Sequence, residues 1–293
     1  MAAWQRSLLG RLGLTEPARS AVHRLRSAER AVQSARFFAR GYRHGRRFPD
    51  PTAPAAEARP AAAGPLQAYF DAHTEGPGIW KWRHYFDIYE RHLERFRGKP
   101  VHIVEIGVLG GGSLQMWHDY FGPETHVYGI DINPDSRKLT RDGVEIFIGD
   151  QGDPRFWERF LEGEPTIDVV IDDGGHTARQ QAVTVESLLA HVRPGGVYIC
   201  EDIHGPFQPF HSFVDGLTRP LSDIGLPREQ NPANSLQRQI ASVHRYPILT
   251  VIEKSASPTS GFEAPRHGTI WPVRRGRASK RARDDSPGVG SSL

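Results

Sequence analysis

Apolar residues in the middle of the chain come in short runs, and each run closes on an acid or a glycine. Residues 101–106 lead into Gly107, 127–130 close on Asp131, 144–148 lead to Asp150, 167–171 end in Asp172-Asp173, and 197–200 end in Glu201-Asp202. Unbroken apolar runs of this length read as strands buried on both faces, as in a parallel sheet. Helical spacing fills the gaps, at 113–120, 135–141, 154–161 and 178–192. Strand and helix in alternation predict an α/β fold built on a doubly wound parallel sheet. The last two runs, 240–246 and 248–253, are separated by little more than Pro247. So short a link admits no helical crossover and predicts an antiparallel return. The expected architecture is a Rossmann-like seven-stranded sheet with one antiparallel strand.

The flanks have other patterns. Ala21, Leu25, Ala28, Val32, Ala35 and Ala39 repeat at spacings of four and three among arginines, which predicts a basic helical extension over 1–48. Residues 49–64, dense in Pro and Ala, read as a linker, 65–256 as the main domain, and 257–293, rich in Pro, Gly, Ser and Arg, as a basic disordered tail. The overall charge of +3 hides this division: 1–48 carry +9, 257–293 carry +4, and the part between carries −10. Positive ends on an acidic body suit docking within the chain, a homo-oligomer, anionic partners or solubility. Nucleic acid is the lesser expectation for the basic helix, beside subunit docking or simple solvation. The single cysteine excludes an internal disulfide, and no apolar run approaches the roughly 18 residues of a membrane span, so a cytoplasmic protein is expected.

The chemistry lies where the acidic pairs fall. Neighbouring strands lie about 4.8 Å apart, so carboxylates at adjacent strand ends repel unless a cation lies between them or one is protonated. Oxygen donors favour Mg²⁺, whereas zinc would want more His and Cys than this chain gathers. Asp173 and Asp202 are the expected ligands, with Glu201 as the third candidate. His176, three residues past Asp173, is the expected general base, and His204 is placed behind it. Upstream, Gly107-Val-Leu-Gly-Gly-Gly-Ser113 is a glycine-rich turn opening a helix. Leu109 stands where the nicotinamide fingerprint needs its second glycine. The E-x-G-x-x-x-G spacing of Glu105, Gly107 and Gly111 fits S-adenosylmethionine enzymes better, with Ser113 at the helix start. Asp131, 24 residues past Gly107, is placed to accept the ribose hydroxyls, and Asp150 to reach the adenine amino group.

These residues carry a specific resemblance. Lys81-Trp-Arg-His-Tyr-Phe-Asp-Ile-Tyr, Val104-Glu-Ile-Gly-Val, Gly129-Ile-Asp-Ile-Asn, Ile171-Asp-Asp-Gly-Gly-His and Cys200-Glu-Asp, within 80–254, resemble the class I Mg²⁺-dependent O-methyltransferases that act on macrolide sugars. The resemblance implies S-adenosylmethionine and Mg²⁺ as cofactors and a small glycosylated acceptor. It implies metal binding by Asp173 and Asp202, base catalysis by His176, and cofactor contacts from Glu105, Gly107, Asp131 and Asp150. It also implies that the segment before the first strand closes over the cofactor, making Trp82, His84 and Tyr85 candidates for the adenosine or acceptor pocket. Gly175 departs from the family, whose members usually carry Ser there, and this puts the rigidity of that loop in question. Two other readings stay open: a hydroxylase on the same scaffold, as in relatives labelled cephalosporin hydroxylases, which needs an iron site of two His and one carboxylate, and a non-catalytic scaffold protein.

Overall fold

The computed structural model describes residues 16–48, 63–163, 165–205, 207–224, 231–265 and 267–268. The acid-terminated runs become β1 Val101–Ile106, β2 Thr125–Asp131, β3 Val144–Ile148, β4 Ile167–Asp172 and β5 Val192–Cys200. A short β6, Asn231–Pro232, precedes β7 Ile240–Tyr246 and β8 Leu249–Lys254, and β9 Gly261–Phe262 follows. The main sheet has seven strands in the order β3-β2-β1-β4-β5-β8-β7. β1 to β5 are mutually parallel, and β8 alone runs against its neighbours, because the two residues between β7 and β8 leave no room for a crossover. Strand order reverses between β1 and β4, the switch point outside whose carboxyl ends ligands bind in open α/β sheets.

Both faces of the central strands are covered, so β4 is buried at all six positions. One face packs Tyr85, Phe86 and Tyr89 of the helix Arg83–Leu93, with Leu114 and Trp117 of the helix Gly112–Phe121, against Ile103, Val169, Ile171 and Ile199. The other packs Phe156, Trp157 and Phe160 of Pro154–Leu161, with Val185 and Leu188 of Ala178–Leu188, against Val104, Ile106, Val170 and Tyr198. Each large apolar side chain taken from water stabilises by about 1.5–3 kcal/mol. The helices Pro154–Leu161 and Ala178–Leu188 on this second face have side-chain caps at their starts: Asp153 accepts from Arg155 N and Thr177 from Gln180 N.

Three expected elements differ. The helix expected at 135–141 is a 3-10 helix, Pro134–Leu139, capped by Asn133. The helix expected at 178–192 stops at Leu188. β5 begins at Val192 and takes in Pro194-Gly195-Gly196, a turn-like triplet that the sheet tolerates because the β4–β5 register shifts between Ile167 and Val169. Arg193, paired with the buried Asp168 of β4, fastens that irregularity.

The flanks also differ from expectation. Structure continues past residue 256, since β9 pairs with β6; residues 269–293 of the expected tail and 49–62 of the expected linker lie outside the described residues. The basic extension holds a helix, Glu16–Gly45. Ala28, Val32 and Ala35 of its apolar stripe are exposed, and the side chains of Ala21 and Leu25 lie outside the described residues. Tyr42 packs on Phe207, with ring centroids 5.2 Å apart. No helix among the described residues is long and apolar enough to cross a membrane.

Candidate active site

β4 and β5 pair with Asp172 opposite Cys200, so Asp173 and Glu201 leave the sheet side by side. The backbone then turns sharply: His176 and Asp202 both have positive φ, 55° and 53°. Such strain in residues with side chains clusters at functional sites and persists where the surroundings enforce it. Gly107 makes the close approach possible, since a Cβ there would lie 2.1 Å from the Asp173 carbonyl oxygen, and its φ is +84°. The turns bring Asp173, His176 and Asp202 together, with one donor atom from each within 4.8 Å of the others. His176 Nε2 lies 3.8 Å from Asp173 Oδ1 and 3.9 Å from Asp202 Oδ2, beyond hydrogen-bond reach. Its Nδ1 is buried and has no partner among the described residues. His204 Nε2 stands 3.5 Å from Asp202 Oδ2 on the outer side. A pair of carboxylate oxygens with an imidazole beside them suits a hard divalent cation.

Glu201 is placed differently from its expected role. Both its oxygens accept from the ammonium of Lys81, at 3.2 and 3.0 Å, and one also accepts from Tyr89 Oη at 2.5 Å. Lys81 Nζ also donates to Asp173 Oδ2 at 2.6 Å. Burial alone would lower the Lys81 pKa, but Glu201, Asp173 and Glu105 outweigh it and hold it above its ordinary value. Burial lifts Glu201, while Lys81 pulls it the other way. Asp202 Oδ1 accepts from Tyr85 Oη at 2.7 Å and from Trp82 Nε1 at 3.0 Å. The segment from Lys81 to Tyr89 thus holds each of the three acids that follow β4 and β5.

On the other side of Gly107 lie the residues expected to hold a cofactor. A cavity of about 540 Å³ is walled by Trp80, Lys81, Trp82, Tyr85, Gly107, Leu109 and Asp131 and by Asp173, Gly174, His176, Glu201, Asp202 and His204. A second, of about 160 Å³, shares Gly107, Asp131 and Gly174 with it and adds Asp150, Gln151, Gly175 and Gln180. Together they run across the ends of β1, β2 and β4, and the backbone at Gly107 has no side chain to block a ligand. Asp131 uses Oδ2 to accept from Val108 N and Leu109 N, 3.2 Å each, and Oδ1 to accept from Asn133 N at 2.8 Å. It therefore fixes the glycine-rich turn while lining both cavities. Asp150 accepts from Gly152 N at 2.7 Å.

Glu105, Gly111, Ser113 and His84 lie off these walls. Glu105 is fully buried, and burial raises its pKa against Lys81 and the nearby Ser113 and Trp117; neither oxygen makes a hydrogen bond of good geometry. Gly111 caps the helix Gly112–Phe121 at φ 84°, and Ser113 sits in its first turn. His84 turns towards the Pro247 carbonyl oxygen, 3.1 Å away.

Beneath the His176 loop lies a support that the sequence did not disclose. Gln151 donates from Nε2 to Asp172 Oδ1 at 2.9 Å and to Thr184 Oγ1 at 3.1 Å, and its Oε1 accepts from Gly175 N at 2.6 Å. Asp172 also accepts from Tyr198 Oη at 2.9 Å, and its pKa is pushed up to about 6, chiefly by burial. The absent side chain at Gly175 is replaced in space by Gln180, whose amide would lie 2.3–2.5 Å from a Cβ there. The loop is thus held by Gln151 and filled by Gln180.

Lys81 opens one of the segments that carry the resemblance, but sequence alone assigned it no role. Its signal was its rarity: one of five lysines among 32 arginines, and flanked by tryptophans. The structure also assembles a two-His-one-carboxylate group that sequence spacing hid, His92, His244 and Glu253. It lies on neither cavity wall, and Glu253 is already bonded to Arg95 and Ser242.

Comparison with known proteins agrees with this arrangement. Residues 104–203 match the family described as a methyltransferase domain. The chain is 32% identical to 8-demethyl-8-(2-methoxy-alpha-L-rhamnosyl)-tetracenomycin-C 3'-O-methyltransferase of Streptomyces olivaceus, over 72% of this chain and 59% of that protein. It is 32% identical to mycinamicin VI 2''-O-methyltransferase of Micromonospora griseorubida, over 59% of this chain and 49% of that protein. Among solved structures it is similar to the MycE methyltransferase of the mycinamycin pathway in complex with Mg and SAH, with a TM-score of 0.51 and 27% identity over 65% of this chain and 53% of that one. The chain spans about half to three-fifths of the length of these relatives. Residues 104–203, with this strand order and these strand-end acids, form a methyltransferase domain, and the chain is similar to sugar O-methyltransferases of antibiotic pathways.

Proposed function

We propose that the chain transfers a methyl group from S-adenosylmethionine to a hydroxyl of a glycosylated natural product, assisted by Mg²⁺ at Asp173 and Asp202 and with His176 as general base. The observation that carries this is the meeting of Asp173, His176 and Asp202 within 4.8 Å on the wall of the cavity that Gly107 and Asp131 also line. The relatives support the acceptor class: they are named as O-methyltransferases of rhamnosyl tetracenomycin and of mycinamicin VI, and one MycE structure contains Mg, SAH and mycinamycin VI. The residues fit both groups. Asp173 and Asp202 offer the oxygen donors that Mg²⁺ prefers, and the bare backbone at Gly107, bordered by Asp131 and Asp150, leaves room for an adenosyl group.

S-adenosylmethionine supplies a methyl that is already electrophilic, and bound Mg²⁺ supplies positive charge that acidifies a nearby hydroxyl. The protein's own part is alignment and proton removal. His176 Nε2, close to both acids but hydrogen-bonded to neither, is free to take the acceptor's proton, a contribution worth roughly 10²–10⁴ in rate. Trp82 and Tyr85 fix the Asp202 carboxylate, and the Gln151 bond fixes the loop that carries His176.

Methyl transfer to a pool of glycosylated acceptors, followed by mass spectrometry, should stop with chelator and return with Mg²⁺. His176→Ala should keep cofactor binding and lose most turnover, with partial recovery at high pH. Transfer that survives both chelator and His176→Ala would sink the mechanism and leave the fold standing. No observation favours the hydroxylase, because His92, His244 and Glu253 lie away from the cavity, and a scaffold has no need to hold carboxylates together against repulsion.

A further inference from the structure

We propose that the ammonium of Lys81 is a built-in counter-ion for the strand-end acids, a positioning residue that keeps the site assembled before any divalent ion arrives. The proposal rests on the reading that Mg²⁺ binds at Asp173 and Asp202. The Lys81 side chain is 3% exposed, and so is reached by few groups other than the acids around it. It bonds to Asp173 and to both oxygens of Glu201, whose side chain is 1% exposed. Buried carboxylates this close repel strongly, and removing the ammonium that bridges them leaves charge uncompensated in a medium of low dielectric.

Asp173 is the residue that the two cations share. Its Oδ2 faces Lys81, while its Oδ1 faces His176, and the residue is grouped with His176 and Asp202. The acids therefore divide: Lys81 holds Glu201 and one side of Asp173, and the other side of Asp173 is left with Asp202 for the ion. Lys81 also sits between Trp80 and Trp82, which line the cavity, so the same ammonium anchors that wall to the ends of β4 and β5.

The test is thermal unfolding of the full chain in EDTA and in excess Mg²⁺, with calorimetric titration of Mg²⁺ alone. Wild type should gain from Mg²⁺ only the modest shift of an ordinary ligand. Lys81→Met should melt roughly 5–15 °C below wild type in EDTA, and Mg²⁺ should recover most of that loss, a shift at least double that of wild type. Lys81→Met/Glu201→Gln, which removes acid and ammonium together and keeps Asp173 and Asp202, should lose the enlarged shift and respond to Mg²⁺ no more than wild type does. Equal Mg²⁺ shifts in wild type and Lys81→Met, with Mg²⁺ binding intact in the calorimeter, would overturn the counter-ion alone. Absence of Mg²⁺ binding in both would overturn the proposed metal site and the counter-ion with it. Should Lys81→Met yield no folded protein, the double variant decides: folding with a Mg²⁺ shift no larger than that of wild type supports the proposal, and failure to fold overturns it.

Discussion

Asp172 shows how a single buried acid can set a pH dependence without touching a ligand. It is 1% exposed, and its pKa stands at about 6 against a usual 3.8, burial outweighing the bonds from Gln151 and Tyr198. The folded state therefore holds this proton more tightly than the unfolded chain does. The stability this contributes is present below pH about 4 and lost as pH rises through 6. Asp172→Asn, which keeps an acceptor for Gln151, should be more stable than wild type by about 1–3 kcal/mol at pH 7.5, with the gain shrinking towards zero near pH 4. Denaturant unfolding at both pH values measures this, and a gain that does not change with pH would show that Asp172 carries no charging cost. Asp172 was visible in the sequence only as the first half of an acidic pair. Strand alternation decides which half is buried: Asp172 shares a face with Val170 and turns inward, while Asp173 leaves the sheet.

The loop from β4 to the helix Ala178–Leu188 carries His176, and its packing answers the question raised by Gly175. Gln180 fills the volume that a side chain at 175 would need, so Gly175→Ser should crowd it, lowering turnover and costing about 1–3 kcal/mol of stability. Gly175→Ser/Gln180→Ala should regain most of both; a single variant as active and stable as wild type would mean that the loop yields. Elements of this kind were legible to different degrees. The strands β1 and β4 and the second half of β5 were plain because burial on both faces leaves unbroken apolar runs, and the return into β8 was plain because two residues admit no helix. The acids at the strand ends followed from those boundaries. Lys81 did not, because it lies 92 and 120 residues from its partners and leaves no periodic trace. Gln151 and Gln180 were equally silent, since a glutamine in a loop looks solvated until the fold closes over it. Asp131 was legible as the acid that closes β2, but its bonds to the turn amides depend on a backbone path that spacing does not show.

At the scale of the whole molecule, the sheet and its covering helices account for the site, and the basic helix Glu16–Gly45 stands largely outside that core. Its side chains from Val32 to Phe38 are exposed, including Phe37 and Phe38 at 71% and 61%. A shortened chain of residues 63–265, which retains β6 and β9, should therefore fold and bind S-adenosylmethionine. Melting curves and calorimetry against the full chain check this. Loss of both properties on shortening would make the helix part of the fold or of an obligate assembly.

The contact of Tyr42 with Phe207 fixes one end of that helix five residues past Asp202. A helix of 30 residues extends about 45 Å, longer than the sheet is thick by several fold. Its first turn therefore lies about 40 Å along the helix from that contact, on a rod rather than a string. A rod fixes distance as well as proximity, so anything bound at its first turn would be held at a set distance from the Tyr42–Phe207 contact.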